Sequence, residues 1–455
     1  MKNESRLDVN YVWYTDLEKS KRQLNQISPS FCLAKWLQVT LHLHKGQTHS
    51  CHHPRPHAIL MTDIKNNPAG LHNTAEKLKE RQLMLKGSQP KPCEYCWNIE
   101  NQSATAISDR VMKSSSKEFY PYANEVVASG LGDKINPKYL EVSFSHLCNF
   151  KCSYCSADYS SKWQQEIEQF GPYSTHNGQM TTPTLDEDSN PYIASFWEWW
   201  PSLKKELHVF RITGGEPLLS KNTWKLFDAL EADPAPSLEL AINSNLGVPR
   251  ELVEKFVEKA QSLLKQKKIA RINVFTSVDG FGFAAEAMRH GFNTQLFLSN
   301  IHFLLENIPQ LEMFIMATYS ALSVSSYKTL LEEVLKIRKQ YIHGSRLKPL
   351  GVSTSYLRYP EHLSVKILNL DALEKMQETL NFMLDNQLDE TDYPEGFTEY
   401  EVNAMKNLMD WFQMPIEKSK KEYLQKQFKT FYEEHDRRRG TKISHWITEN
   451  PIFLD

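Results

Sequence analysis

Three cysteines stand close together in the segment SHLCNFKCSYC, where Cys148, Cys152 and Cys155 have the spacing C-x3-C-x2-C. The residues between them are mostly polar, so the three thiols do not follow the periodicity of a buried helix or strand. Thiolates are the usual ligands of iron–sulfur clusters. Three of them on one loop can hold three corners of a 4Fe–4S cubane and leave the fourth iron open to an exogenous ligand.

A second motif follows an apolar run, where Gly214, Gly215, Glu216 and Pro217 form the sequence GGEP. Glycines let a backbone approach a ligand closely, and a carboxylate accepts charge-assisted hydrogen bonds from an ammonium group. Such a tetrapeptide alone would more often be an ordinary turn. Its position one strand after the cysteine segment indicates a binding element.

Together the two motifs resemble those of the radical S-adenosylmethionine (SAM) enzymes, whose cluster motif has an aromatic residue, here Tyr154, before the last cysteine. The resemblance implies that a 4Fe–4S cluster on the three cysteines binds SAM and that the GGEP segment contacts the methionine amino group. It also implies cleavage of SAM to a 5′-deoxyadenosyl radical that abstracts hydrogen from a substrate carbon. A reducing partner such as flavodoxin or ferredoxin is expected.

The elements that must position these motifs alternate between short apolar runs and helical patterns, which predicts parallel βαβ units. The predicted strands lie at 139–145, 207–213, 238–243, 270–278, 312–318 and 348–353, with helices near 221–231, 249–267, 294–307 and 325–342. Six such units match the α/β fold of the resembled family, a partial (β/α)6 TIM-like barrel. Functional groups gather at the carboxyl ends of parallel strands, and both motifs follow strands.

Further candidates stand at the ends of later strands. In the resembled family the ends of the fourth and fifth strands contact the ribose and carboxylate of SAM, which makes Ser277 and Asp279 candidate cofactor-binding residues. Asn243, Ser244 and Thr318 occupy other strand ends and are further candidates. Each of the five is equally consistent with an ordinary strand-end cap or turn residue.

Four more cysteines precede the first group, and four thiolates complete a tetrahedral or cubane site. Cys32, Gly46 and Cys51 have the spacing C-x13-G-x4-C, and Cys93 and Cys96 form C-x2-C. The first spacing resembles the opening of twitch and SPASM auxiliary-cluster domains, and AKWLQVTLHLHKG between its cysteines predicts a β-hairpin. Here that domain would precede the barrel rather than follow it. The resemblance implies a second 4Fe–4S cluster on these four cysteines, with zinc as the alternative.

Composition limits the remaining classes. Lys and Arg total 53 against 55 Asp and Glu, so no overall basic field attracts nucleic acid or an anionic membrane. No apolar stretch suits a membrane helix or a secretion signal, so we expect a reducing cytoplasm. We predict an auxiliary-cluster domain at 1–115, a radical SAM barrel at 116–353 and a helical extension at 354–455, with helices at 371–387 and 399–438, the latter interrupted near Pro415.

The substrate is the least determined part. If both clusters form, none of the seven cysteines is left for a thiyl radical or a thiol hydrogen donor, which favours electron transfer as the role of the second cluster. We predict a peptide or protein substrate, because that is the commoner case in the resembled group. Two alternatives stay open: a small-molecule sugar or alcohol dehydrogenase, and a binding scaffold stabilised by zinc or iron–sulfur without turnover.

Overall fold

The computed structural model describes residues 17–175, 184–185, 187–342, 349–389, 395–450 and 452–453, and it is a mixed α/β structure. The strands are β1 (Gln38–His42), β2 (Gln47–His49), β3 (His57–Ala58), β4 (Tyr139–Ser143), β5 (Lys151–Cys152), β6 (Val209–Thr213), β7 (Glu239–Ser244), β8 (Arg271–Thr276), β9 (Arg289–His290), β10 (Glu312–Tyr319) and β11 (Leu350–Tyr356). The helices are α1 (Leu17–Ile27), α2 (Ala34–Leu37), α3 (Met61–Ile64), α4 (Ala75–Leu85), α5 (Glu94–Glu100), α6 (Asp109–Ser114), α7 (Ala123–Ser129), α8 (Ser161–Phe170), α9 (Pro191–Leu203), α10 (Lys221–Ala232), α11 (Arg250–Lys265), α12 (Gly282–Met288), α13 (Thr294–Asn307), α14 (Tyr327–Tyr341), α15 (Asp371–Asp385), α16 (Glu399–Gln413), α17 (Lys418–Arg439) and α18 (Ile443–Glu449).

The described chain packs as two units. The first comprises residues up to 144 together with 184–212 and 235–240, and the second comprises the rest. In the first unit the hydrogen-bonded strand order is β6-β4-β1-β2-β3, with β1 parallel to β4 and antiparallel to β2. In the second unit the order is β11-β10-β8-β7, with β10 parallel to both β8 and β11. The predicted domain boundaries at 115 and 353 stay predictions.

All six predicted strands are present, as β4, β6, β7, β8, β10 and β11. The predicted hairpin is also confirmed, since β1 and β2 pair as antiparallel neighbours. Gly46 turns this hairpin with φ at 62°, and a Cβ there would lie 2.2 Å from the Tyr192 ring. Sequence reasoning missed the parallel pairing of β1 with β4, because short-range patterns carry no information about partners so distant in the chain.

Capping side chains fix where the helices next to the two motifs begin. The Ser160 hydroxyl accepts a hydrogen bond from the Trp163 N–H at the start of α8, and the Ser220 hydroxyl accepts one from the Asn222 N–H at the start of α10. The first motif therefore lies on a loop between β4 and α8, called here the cysteine loop (residues 144–160). The second lies between β6 and α10 and is called the GGEP turn (residues 214–217).

The predicted C-terminal helices are present as α15, α16 and α17, with the predicted interruption between α16 and α17. The three arginines at 437–439 form the last turn of α17, and Gly440 follows in the left-handed region with φ at 65°. Among the helices of the described ranges, none has both the length and the apolar character needed to cross a lipid bilayer.

Candidate functional site

Backbone hydrogen bonds hold the cysteine loop in shape. The Cys148 N–H donates to the Ser161 hydroxyl at 3.1 Å, and the Cys155 N–H donates to the Cys152 carbonyl at 2.9 Å. Cys152 also lies in β5, where it pairs with Arg289 of β9. The loop is therefore fastened at each of its three cysteines.

The three thiols of this loop influence one another. Burial, and then the charge of Cys152, raises the pKa of Cys148 to about 12. Burial, followed by the charges of both other thiols, raises the pKa of Cys155 still further. Among the described residues, no group of three or more histidine, cysteine, aspartate or glutamate side chains, the seven cysteines included, is arranged so that it could hold a metal ion. The thiols are thus neighbours within electrostatic reach, not a closed ligand shell.

The GGEP turn packs directly against the cysteine loop. The Glu216 N–H donates to the Leu147 carbonyl oxygen at 2.7 Å, next to the first of the three cysteines. A Cβ on Gly215 would lie 2.3 Å from that same oxygen and 2.6 Å from the His146 carbonyl oxygen. Gly214 has φ at 132°, a backbone conformation that favours glycine. Both glycines are therefore required by local geometry, which brings the two sequence motifs into contact.

The Glu216 carboxylate points into the protein and is 1% exposed. It accepts hydrogen bonds from the Leu218 N–H at 3.1 Å, the Ser244 hydroxyl at 2.9 Å and the Asn245 N–H at 2.7 Å. Burial raises the pKa of Glu216 to about 7, against the opposing effect of these donors. Pro217 follows at the start of a short 3-10 turn. The carboxylate thus joins the turn to the end of β7, and its predicted role towards an ammonium group stays a prediction.

The end of β7 is tied to the cysteine loop as well. The Asn245 side-chain amide donates to the Asn149 side-chain oxygen at 2.8 Å, and the Asn149 amide donates to the Gly247 carbonyl at 2.8 Å. Asn149 lies between the first two cysteines in the sequence. Asn245 is not among the candidates selected from the sequence, because only the tertiary structure reveals its partner.

A buried ion pair lies on the other side of the loop. Asp279 is fully buried and accepts hydrogen bonds from the Arg289 Nε at 2.8 Å, the Tyr154 hydroxyl at 2.7 Å and the Thr318 N–H at 2.8 Å. Arg289 Nη1 also lies 3.7 Å from the Cys152 sulfur. Asp279 and Tyr154, both predicted site residues, therefore meet at Arg289, which sequence reasoning missed and no local pattern marked.

The remaining strand-end candidates lie in the same unit. Asn243 and Ser244 are the last two residues of β7, and Ser277 follows β8 directly and is half-buried. Thr318 lies in β10 and contacts Asp279 through its backbone N–H rather than its hydroxyl. The contacts of these residues with a cofactor stay predictions.

The C-terminal helix α17 supports the cysteine loop. Arg439 is the last residue of α17, and its fully buried side chain donates to both Glu166 oxygens, at 2.9 and 3.1 Å, and to the Lys151 carbonyl at 3.0 Å. The same guanidinium lies 4.8 Å from the Trp163 ring, whose Nε1 donates to the Cys152 carbonyl at 2.9 Å. One arginine thus braces the backbone on both sides of the second cysteine.

The four upstream cysteines lie around one small cavity of the first unit. The cavity is lined by Cys32, Ala34, Lys35, Ser50, Cys51, His53, Pro54, Met84, Cys93, Cys96, Trp97, Asp109, Arg110 and Lys113. Burial and neighbouring thiols raise the pKa values of Cys93 and Cys96 to about 12. Four cysteines from three separate segments therefore line the same cavity, and their role as ligands of one site stays a prediction.

Cations surround the same cavity. Lys35 is 2% exposed and its Nζ lies 2.5 Å from a Glu80 oxygen. Burial acts to lower the pKa of Lys35, but Cys93 and Glu80 outweigh it and raise the pKa. Arg110 is also buried and pairs with Glu100 at 2.7 Å. These cations offset negative charge on the thiols, and the sequence alone gave no sign that they lie there.

Comparisons with known proteins give solved structures only. No protein-family model and no curated protein matches the chain. The structure of native anSMEcpe with bound AdoMet is similar at 15% identity and a TM-score of 0.35. The similarity covers 57% of this chain and 63% of that chain, so this chain spans less than two thirds of its length. Streptococcus suis SuiB bound to precursor peptide SuiA is similar over 78% of this chain and 69% of its own, at 13% identity and a TM-score of 0.35. SuiB bound to S-adenosylmethionine is similar over 73% and 75%, at 13% identity and 0.33.

Proposed function

We propose that this chain is a radical SAM enzyme whose 4Fe–4S cluster is held by Cys148, Cys152 and Cys155. The observation that carries the proposal is the hydrogen bond from the Glu216 N–H to the Leu147 carbonyl at 2.7 Å. It places the glycine turn against the residue that precedes the first cysteine. A cofactor bound at an open iron would therefore meet this turn.

The donor set suits an iron–sulfur cluster. Three thiols on one loop are of the ligand type that such clusters use, and a fourth cysteine is absent from that loop. Cys148, Cys152 and Cys155 would hold the cluster, which would supply the one-electron reduction of SAM needed for radical hydrogen abstraction from a substrate carbon. The chain itself supplies position and shields the site from water.

The chain's own residues have distinct tasks in this proposal. Gly214 and Gly215 let the backbone approach the methionine amino group of SAM. Glu216 holds that backbone in place from behind, because protein donors already occupy its carboxylate. Asp279 and Arg289 fix Tyr154 next to the last cysteine. Glu216, Asp279 and Arg289 therefore act as positioning residues.

The four-cysteine cavity is proposed as the site of a second 4Fe–4S cluster held by Cys32, Cys51, Cys93 and Cys96. Four protein ligands leave no open iron, which suits transfer of an electron from the substrate radical better than substrate binding. Zinc on the same thiolates is the competing occupant. The α/β units are proposed to form a partial (β/α)6 barrel, and a peptide or protein substrate is preferred to a sugar or alcohol.

Anaerobic reconstitution tests the proposal. About eight iron per chain supports two cubanes, and about four with one zinc supports a single cubane. Under dithionite, the reconstituted chain should release 5′-deoxyadenosine from SAM. The Cys152→Ala variant is the control and should release none. A wild-type chain that binds iron but never cleaves SAM would favour the scaffold alternative and reject the enzyme.

A further inference from the structure

Strand β11 lies at one end of the strand order in the second unit, and the first half of its outer edge is capped. The Arg338 Nε donates to the Leu350 carbonyl at 2.7 Å, and the Val352 N–H donates to a Glu401 oxygen at 2.9 Å. Arg338 and Glu401 are themselves paired at 2.6 Å, and their side chains are 1% and 2% exposed. A buried ion pair thus replaces the neighbouring strand at this half of the edge.

The second half of the same edge, called here the open half, has no such cap among the described residues, although α16 packs beside β11 and its Trp411 ring stacks on the Tyr356 ring at 4.8 Å. Alternate residues of a parallel strand direct their backbone groups to the same side, so Thr354 and Tyr356 face the edge that Val352 faces. The Leu357 N–H instead donates inward, to the Tyr319 carbonyl of β10 at 2.9 Å. Within the described part of the chain, no group bonds to the outward backbone of Thr354 or Tyr356. Unpaired strand edges are templates for another extended chain.

A surface groove that is open to solvent lies along this open half. Its lining is Thr354, Ser355, Tyr356, Arg358, Tyr400, Asn403, Ala404 and Asn407. Asn403 and Asn407 lie one turn apart on α16 and therefore share a face of that helix. Each of their amides offers donors and an acceptor, which are the groups needed to bond a peptide backbone.

The positive charge of Arg358 in this groove favours a negatively charged ligand. Arg358 is exposed, its Nη2 donates to the Tyr356 hydroxyl at 2.7 Å, and its guanidinium lies 4.9 Å from that ring. No lining residue is acidic. A guanidinium held in this way is suited to a carboxylate, since the fork of donors matches the two carboxylate oxygens.

We propose that the open half of β11 binds an acidic peptide segment as an added strand. Backbone bonds to Thr354 and Tyr356 supply affinity, and contacts with Arg358, Asn403 and Asn407 supply selectivity. The Arg338–Glu401 pair sets the limit of the added strand, because it already occupies the edge before Thr354. The proposal rests on the proposed function in that it names where a peptide substrate docks.

The test is selection of peptides on the full chain without SAM or reductant. A random twelve-residue display library is selected on the wild-type chain and counter-selected on an Arg358→Glu/Asn403→Ala/Asn407→Ala variant. Enriched peptides are then synthesised, with and without methyl groups on alternate backbone nitrogens, and titrated by calorimetry. Arg437→Glu, a change of an exposed arginine on α17, is the matched control.

We expect acid-bearing peptides whose dissociation constants rise at least tenfold in the triple variant and in the single Arg358→Gln variant, but not in the Arg437 control. Two methylated peptides are compared, one with methyl groups on the odd backbone nitrogens and one with them on the even nitrogens. Only one of the two should lose binding, because only one side of an added strand faces β11. The proposal is overturned if no acidic peptide is enriched, if both methylated forms bind equally, or if the wild-type chain is a dimer that Arg358→Glu dissociates. SAM cleavage by the same wild-type preparation tests the proposed function separately.

Discussion

Cys148, Cys152 and Cys155 lie within eight residues of one loop, whereas Cys32, Cys51, Cys93 and Cys96 come from positions spread between 32 and 96. The cysteine loop is shaped by its own backbone and is braced from outside by the GGEP turn and by α17. The four-cysteine cavity has no such loop. Three of its thiols converge because the chain around α2 and α5 packs into a common core that includes Trp36 and Trp97, and Cys51 lines the same cavity from the segment after β2.

Each of the two sites has positively charged side chains near its thiols, but different elements hold these side chains in place. Arg289 Nη1 lies 3.7 Å from the Cys152 sulfur, and this guanidinium is fixed by Asp279. At the four-cysteine cavity the cations are Lys35 and Arg110, each paired with a buried or partly buried glutamate. Both sites thus place cations beside thiols, but the loop site is fastened by hydrogen bonds and the cavity site by core packing. Local changes should therefore damage the first site and leave the second intact.

The largest expected effect follows Gly215→Ala. A Cβ there meets two carbonyl oxygens of the cysteine loop at 2.3 and 2.6 Å, and backbone cannot yield as a flexible side chain would. We expect the iron content to fall by about half and release of 5′-deoxyadenosine to fall by about two orders of magnitude. Gly130→Ala, which strains a positive-φ glycine of the first unit but meets no neighbouring atom within 4 Å, is the control for general destabilisation. Full iron content in Gly215→Ala would contradict the contact.

Replacing Cys93 and Cys96 with Ala should damage the four-cysteine cavity and leave the cysteine loop intact, which is the reverse of the Gly215→Ala result. The cavity loses half of its thiols, so iron or zinc assigned to it should be lost. Release of 5′-deoxyadenosine should persist, because the cysteine loop is untouched, while product is abolished. Metal analysis and product assay of one preparation measure both. Product formation at the wild-type rate would remove any electron-transfer role for the cavity.

A smaller effect is expected for Arg439→Gln, which removes a buried cation whose charge acts on Cys152. Loss of positive charge makes a nearby cluster harder to reduce, so its midpoint potential should fall by on the order of tens of millivolts. Spectroelectrochemistry of the reconstituted chain measures the shift. Arg437→Gln on the same helix, with an exposed side chain, should leave the potential unchanged. If the midpoint potential is the same in the Arg439→Gln and Arg437→Gln variants, the charge of Arg439 does not act on the cluster and α17 contributes only packing.

The smallest effect concerns pH. Burial alone would raise the pKa of Glu166, but hydrogen bonds from Arg439, Lys151 and Tyr173 outweigh it and lower the pKa to about 2. A lowered folded-state pKa adds stability above the unfolded value, on the order of 3 kcal/mol, that is lost as the pH falls from about 4.5 towards 2.

Urea unfolding of the metal-free chain between pH 5 and pH 2 measures this dependence. Glu166→Gln should flatten the pH dependence across that window and lower stability at pH 5. An unchanged slope in the variant would mean that Glu166 is not the group responsible.

Much of the fold was predictable from local patterns. The six strands, the hairpin around Gly46 and the helices of the C-terminal region follow from apolar periodicity and turn residues, which act over a few residues. The pairing of β1 with β4 and the brace from Arg439 were not predictable. Both join segments far apart in the chain, and nothing in the local pattern of either segment encodes its partner.

The sequence by itself determined which groups are available for chemistry: three thiols at fixed short spacing, a glycine turn with one carboxylate, and four further cysteines. Covalent spacing alone keeps the first three thiols together. Only the tertiary structure decided that the Glu216 carboxylate faces inward, that Arg289 and Arg439 flank Cys152, and that the other four thiols share a cavity with Lys35. Packing sets these relations, because the burial of distant apolar residues brings charged side chains to places that their own sequence neighbours do not specify.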